Sequence, residues 1–364
     1  MQERDENRIA DFTKKMGEIL NFGALNLAMG IGVRLGIFEV LDRLERPETV
    51  AAIAREAGLS SRYLKEWLGI MACGGVVDLV EDNGEEKFFL PGEHGDLLAK
   101  RAASGNLGIY AQEIPLLTRL AMEPVEKGFR TGQGVSYQNY QEFAEFMRGL
   151  SDAKHRSALV DNFLPMVNSG RLVKLLESGI SVCDLGCGQG VAVREMARAF
   201  PASNFTGLDL YPDDIDKARR AADQAGLTNV FFMTRDAAEL SADPEMEGRF
   251  DWVSAFDAIH DQTRPAEALS GVFHILKPGG WFSMIDIAAD SRISENLNHA
   301  MGTFLYTVSL MHCLPVGLDK GGAGLGMMWG RQKAVAMLEE AGFKDIRVEE
   351  MPGDAFNLHF FCRK

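Results

Sequence analysis

The chain has few cysteines, no surplus of positive charge and no long unbroken apolar run, and each absence removes a class of protein. Its five cysteines, at 73, 183, 187, 313 and 362, are odd in number and form no C-x-x-C pair. Neither a disulfide framework nor a zinc site is expected from that spacing, and buried free thiols are the simpler account. A formal net charge of −14 argues against binding nucleic-acid phosphates, which calls for basic surface. It favours solubility instead. No uninterrupted apolar segment reaches the roughly 18–20 residues of a membrane span. The polar start, Met1-Gln2-Glu3-Arg4-Asp5-Glu6-Asn7-Arg8, is unlike a signal peptide. The expectation is a cytoplasmic protein that engages neither membrane nor nucleic acid. Repeats and low-complexity tracts are also missing.

What is present suits a two-domain α/β protein. At 364 residues, with 46% hydrophobic and 25% charged, the chain can bury sizeable cores. Residues 11–44 read as helices, and the glycines at 23, 30, 32 and 36 mark either close helix–helix contact or breaks. From Thr49 the pattern sharpens. A short helix Val50–Ala57 stops at Gly58, and a second is capped by Ser60 or Ser61 with Leu64, Trp67, Leu68 and Met71 on one face. Two strands then flank Asn83-Gly84. Helix, turn, helix and hairpin make a winged helix. A wing carrying Glu81, Asp82, Glu85 and Glu86 would repel phosphates.

The rest of the chain is organised around Ser181-Val182-Cys183-Asp184-Leu185-Gly186-Cys187-Gly188-Gln189-Gly190, a strand breaking into a glycine turn. Val193, Met196, Ala197 and Phe200 follow at helical spacing. Glycines let a ligand approach the backbone closely, and the helix N-terminus favours an anionic group. The spacing is not the G-x-G-x-x-G of dinucleotide folds, and Asp184 at the strand end suits a cationic ligand better than a pyrophosphate. A second strand ends at Asp209, whose carboxylate can accept from both hydroxyls of a ribose. Leu210 lies next to it. A third strand, 229–233, runs into Asp236-Ala237, a fourth ends at Phe256, and Lys277-Pro278-Gly279-Gly280 turns into a fifth ending at Asp286.

Asp184 followed by Gly186-x-Gly188-x-Gly190, with acids at the next two strand ends and Leu276-Lys277-Pro278-Gly279-Gly280 before the fifth strand, resembles class I S-adenosylmethionine-dependent methyltransferases over about residues 165–364. The resemblance implies a Rossmann-like seven-stranded sheet that binds S-adenosylmethionine and releases S-adenosylhomocysteine. It implies that Asp184 lies near the amino-acid end of the cofactor, that Gly186, Cys187, Gly188 and Gly190 leave room for it, and that Asp236 and Ala237 meet the adenine. Asp209, Leu210 and Phe256 complete the expected cofactor site.

The N-terminal winged helix is similar to that of small-molecule O-methyltransferases, where such a region serves dimerisation and pocket closure. This implies a homodimer and a small-molecule acceptor. The expected domains are 1–100 (winged helix), 101–164 (helical linker and cap) and 165–364 (cofactor domain), with 289–330 inserted as a substrate lid.

Ligands sit beyond the carboxyl ends of parallel strands, which places the loop Asp257-Ala258-Ile259-His260-Asp261-Gln262 at the chemistry. A histidine there suits proton abstraction near neutral pH. His260-Asp261 also resembles the catalytic His-Asp pair of the winged-helix O-methyltransferases, with Asp286 in the flanking position. The chain departs from that pattern at Gln262-Thr263-Arg264, where the family has tryptophan and another acid, and at Asp286, where it has glutamate. Tyr306, Met311, His312 and Trp329, in the insertion, are the expected substrate contacts. No metal is called for. Three other activities stay in view: a regulator that senses S-adenosylmethionine, an N- or S-methyltransferase working without a general base, and an RNA methyltransferase, which the acidic surface disfavours.

Overall fold

The computed structural model describes residues 5–351 and 354–364. It forms two compact units, one ending at Arg119 and one starting at Leu120. The division falls within the segment 101–164. Its first part belongs to the N-terminal unit and the remainder to the C-terminal one.

The N-terminal unit starts with one helix, Glu6–Arg34, where the glycines left breaks open as an alternative. Close contact decided the matter at two of them. A Cβ on Gly32 would strike the Trp67 ring, and one on Gly30 would lie 2.8 Å from the Ala111 carbonyl. Trp67 Nε1 also donates to the Ala28 carbonyl at 2.8 Å. Helices Ile37–Leu44, Val50–Ala57 and Ser61–Cys73 follow. Strands β1 (Glu48–Thr49), β2 (Asp78–Asp82) and β3 (Glu85–Phe89) pair antiparallel in the order β1-β3-β2. This is the winged helix, its core built on Phe38, Ile53, Leu68 and Met71.

The first helix is apolar in a different way from an unbroken run. An 18-residue window within it averages a hydropathy of 1.3 with 17% buried, long and apolar enough to cross a membrane by length and composition. Lys14, Lys15 and Glu18 interrupt its sequence, so its apolar residues form no unbroken run. Ile9, Phe12, Met16, Ile19 and Leu20 are exposed along it, at the spacing of one helical face.

The C-terminal unit holds a seven-stranded sheet: β4 (Ser181–Leu185), β5 (Asn204–Asp209), β6 (Val230–Thr234), β7 (Phe250–Phe256), β8 (Leu276–Ile287), β9 (Lys344–Met351) and β10 (Asp354–Arg363). The order is β6-β5-β4-β7-β8-β10-β9. β10 runs antiparallel to both neighbours and the remaining pairs are parallel. Val182–Leu185 is buried throughout, as expected of a strand covered on both faces. Chain order reverses between β4 and β7, the switch point at which open α/β sheets bind ligands.

Candidate active site

Strand ends and the loops leaving them build the site. At the end of β4 the turn is held by Gly186 and Cys187, whose N–H groups both donate to the Leu208 carbonyl, at 2.8 and 3.0 Å. Gly186, Gly188 and Gly190 all have positive φ, at 72°, 53° and 68°, a conformation glycine adopts at little cost. Their surroundings differ. An added Cβ on Gly188 meets nothing within 4 Å, whereas on Gly190 it would strike the Phe232 ring. Gly188 leaves space for a ligand, and Gly190 leaves space for a core side chain.

An open cleft of about 1300 Å³ lies over these strand ends. Gly186, Gly188, Asp209, Leu210, Asp236, Ala237 and Phe256 line it. Asp184, Cys187 and Gly190, expected beside them, do not. Asp184 is 3% exposed and accepts from Ser254 Oγ at 2.8 Å. Burial pushes its carboxyl up to about 7 against that hydrogen bond, with Asp209 adding to the rise. The Cys187 thiol fills the space that a Cβ on Gly207 would take, behind the turn.

Asp209 is shared between the turn and the cleft. Its Oδ2 accepts from Gly188 N at 2.8 Å and its Oδ1 from Tyr211 N at 2.9 Å, so each oxygen keeps a lone pair for a ligand. Burial raises its pKa while the backbone donors oppose the rise. Tyr211 stacks on Tyr137 with centroids 4.9 Å apart, and both rings line the cleft. Asp236 is more constrained than its expected contact with a base requires. Oδ1 accepts from Ala238 N at 2.9 Å and Oδ2 from Arg264 at 2.7 Å. The arginine standing where the O-methyltransferases carry another residue draws this carboxylate into an ion pair. Arg264 is itself partly exposed, so the pair can exchange.

Beyond β7, Asp257 holds φ 49°, an unfavourable conformation for a residue with a side chain. It lines the cleft, accepts from Asn357 Nδ2 at 2.7 Å, and burial pushes its carboxyl up to about 6. His260 lies one turn further on and is 3% exposed; its neighbour Asp261 lines the cleft and His260 does not. Nδ1 of His260 is 2.8 Å from Asp286 Oδ1, and Nε2 is 3.4 Å from Asp261 Oδ1. Burial disfavours the imidazolium, but Asp286 and Asp261 outweigh it and hold the ring's proton well above the usual histidine range. Asp286 is fully buried and also accepts from Trp329 Nε1 at 3.1 Å and Ile287 N at 2.8 Å.

None of the four expected substrate residues lines the cleft. Trp329 holds Asp286 in place. Tyr306 lines a separate hollow of about 410 Å³ with Asn296 and His299. Met311 and His312 sit on a π-helical turn, Ser309–Cys313, inside a helix that begins at Gly302 and runs on to Gly317. The Tyr140 hydroxyl donates to the Met311 carbonyl at 2.8 Å. His312 is boxed by Tyr140 and Phe143 with centroids at 4.8 and 4.7 Å, and burial lowers its pKa. The inserted segment instead reaches the cleft through Val316, 319–323 and Leu325, with Ala323 N donating to the Thr263 carbonyl at 2.9 Å. The spacing of Tyr137, Tyr140, Phe143 and Phe146 in the sequence fits either a buried helix face or a roof over a ligand pocket, and Tyr137 lines the cleft. Asp257, Arg264 and Cys313 carry no role that the sequence assigns. Of these three, only Arg264 has a sequence signal, the Gln262-Thr263-Arg264 departure.

A mainly parallel sheet of this order, a glycine turn at its switch point and acids at successive strand ends define a fold of the methyltransferase class. Residues 176–342 match the family described as "Methyltransferase domain", and residues 23–100 match the "Rv2258c-like winged HTH domain". The chain thus carries a methyltransferase domain behind a winged helix-turn-helix domain. It is similar to a sterol 24-C-methyltransferase of Gibberella zeae, with 28% identity over 48% of this chain and 42% of that protein. It is also similar to a ubiquinone biosynthesis O-methyltransferase of Shewanella pealeana, with 30% identity over 38% of this chain and 54% of that protein. The chain spans about half the length of the curated relatives it matches. Human N-acetylserotonin methyltransferase, solved with S-adenosylmethionine, superimposes over 100% of this chain and 99% of its own with a TM-score of 0.64 at 18% identity, a likeness of fold.

Proposed function

We propose that this chain transfers a methyl group from S-adenosylmethionine to a small molecule, at a hydroxyl oxygen. One observation carries the reading: the cleft of about 1300 Å³ is walled by the glycine turn and by Asp209, Asp236 and Phe256 at three successive strand ends. Those residues fit the nucleoside. Gly188 leaves an open cradle, both oxygens of Asp209 retain a lone pair for the sugar hydroxyls, and Tyr211 offers a ring face. When bound, the group would supply an electrophilic methyl carbon. The chain's task is then to hold the acceptor in line and to take its proton.

His260 is the proposed base and Asp286 its positioning residue. An Nδ1–H donated to Asp286 leaves the Nε2 lone pair directed toward Asp261 at the cleft wall. The flanking carboxylates favour the protonated ring, so the base must first shed that proton. Oxygen is preferred because a histidine base is of use to a hydroxyl acceptor, which must lose a proton, and of little use to a thiolate or a neutral amine. The relatives themselves include carbon and oxygen methyltransferases. The proposed assembly is a cytoplasmic homodimer through the apolar face of the first helix. The acidic, exposed wing speaks against a nucleic-acid partner.

Isothermal titration with S-adenosylmethionine tests the cofactor. Wild type should bind, and Asp209→Ala should lose about 1–3 kcal/mol for a charged hydrogen-bond acceptor. No binding, or equal binding by the variant, would defeat the reading. His260→Ala should keep cofactor affinity and lose turnover by about 10²-fold or more. An unchanged rate would remove the base role and leave methyl transfer standing.

A further inference from the structure

We propose that His260, Asp261 and Cys313 bind a divalent transition-metal ion of the zinc class, with His312 at its side. The inference rests on these side chains alone and not on the reaction. The three residues are 53 positions apart at most, yet one donor atom from each lies within 4.8 Å of the others. Because Nδ1 of His260 is taken by Asp286, its free donor is Nε2, 3.4 Å from Asp261 Oδ1. His312 Nδ1 lies 3.6 Å from Cys313 Sγ and 3.9 Å from Asp261 Oδ2. A tetrahedral ion with bonds of about 2.0–2.1 Å to nitrogen and oxygen and about 2.3 Å to sulfur sets its donors roughly 3.3–3.6 Å apart. The His260–Asp261 separation of 3.4 Å matches an edge of such a tetrahedron, and the Cys313 sulfur lies within 4.8 Å of both donors.

Three further features point the same way. The π-helical turn at 309–313 brings consecutive residues His312 and Cys313 to the same side as Asp261, and such turns concentrate at functional sites. Asp261 Oδ1 is buried yet accepts no hydrogen bond among the described residues. The link from His260 Nδ1 to Asp286, backed by Trp329 Nε1, is the carboxylate–histidine support that metal-bound imidazoles receive, and it fixes the tautomer that leaves Nε2 free. The donor set of imidazole, carboxylate and thiolate selects zinc-class ions over magnesium or calcium. Asp261 reaches the cleft wall, so three protein ligands leave the remaining position open toward it, as in catalytic sites.

Binding requires Cys313 as thiolate and His260 without a proton on Nε2, and the displaced protons pass to solvent. The ion and a proton therefore compete for the same lone pair. With the ion seated, His260 is not available as a base, and the ion's charge would instead favour the ionised form of a hydroxyl at the open position.

Cobalt(II) titration of the chelator-treated full chain, without nucleoside, tests the site separately from methyl transfer. The expected result is one ion per chain with a near-ultraviolet sulfur-to-cobalt charge-transfer band. Cys313→Ser should abolish that band, while Cys73→Ser, on the surface, should retain it. Asp261→Asn, a near-isostere at the cleft wall, should weaken binding at least about tenfold, and Asp286→Asn by about 10–100-fold. The inference is overturned by the absence of a band in the wild type, by a band that survives Cys313→Ser, or by wild-type affinity in both aspartate variants.

Discussion

Glycines 188 and 190 stand two positions apart in one turn with nearly the same backbone, yet they answer different needs. Both sit in the left-handed region, where any side chain costs roughly 1–2 kcal/mol. Beyond Gly188 there is open cleft, so Gly188→Ala should lower stability by about that amount and weaken S-adenosylmethionine binding at least about tenfold. Beyond Gly190 lies Phe232, so Gly190→Ala adds overpacking and should cost on the order of 2–5 kcal/mol. Thermal melts and calorimetric titration of the two variants separate the cases. Equal melting temperatures would show that Gly190 is no packing glycine. The same contrast applies to carboxylates: Asp209 faces the cleft, while Asp184 is sealed behind it against Ser254.

Among the elements, the first helix and the inserted segment carry the open questions of assembly and access. The helix exposes Phe12 and Leu20 at 63% and 68%, and its apolar face suits burial against a copy of itself. The chain should sediment as a dimer, and Phe12→Glu with Leu20→Glu should give a folded monomer. A monomeric wild type would dismiss the proposed interface. The inserted segment lies along the cleft through its glycine-rich stretch, where Gly322 packs on Thr263. Ala323 is tied to the same residue. Thr263→Pro keeps the carbonyl that accepts from Ala323 but restricts the loop. It should therefore alter turnover more than cofactor affinity, as steady-state kinetics and titration together would reveal.

For the whole molecule, a buried acid sets part of the pH dependence of folding. Glu113 is 2% exposed, and burial pushes its carboxyl up to about 8, against about 4.3 in an unfolded chain. A raised acid pKa means that the native state holds the proton more tightly. Its contribution is therefore fully present below about pH 4 and is lost as pH rises toward 8. Glu113→Gln should stabilise the protein at pH 8, by several degrees in Tm, and do little at pH 4. Denaturation curves at the two pH values check this, and a gain of equal size at both would refute it.

The sequence by itself determined the order and type of most of the elements, because the glycine turn and the two hydrophobic periods are local properties of the chain, while the continuity of the first helix was left to close contact. It also placed seven of the ten expected cofactor residues on the cleft wall, since alternation along a strand and the position of a strand end follow from covalent spacing. Tertiary structure decided the rest. Which acid faces the cleft and which is sealed depends on what the neighbouring strand contributes, as Ser254 does for Asp184. Arg264 takes hold of Asp236, and Trp329 supports Asp286 instead of meeting substrate, because both pairings cross between separate loops. The approach of Cys313 and His312 to His260 and Asp261 has no spacing signature at all. It arises from one widened helical turn packed against a strand-end loop some 50 residues earlier in the chain, and only packing in three dimensions creates such a neighbourhood.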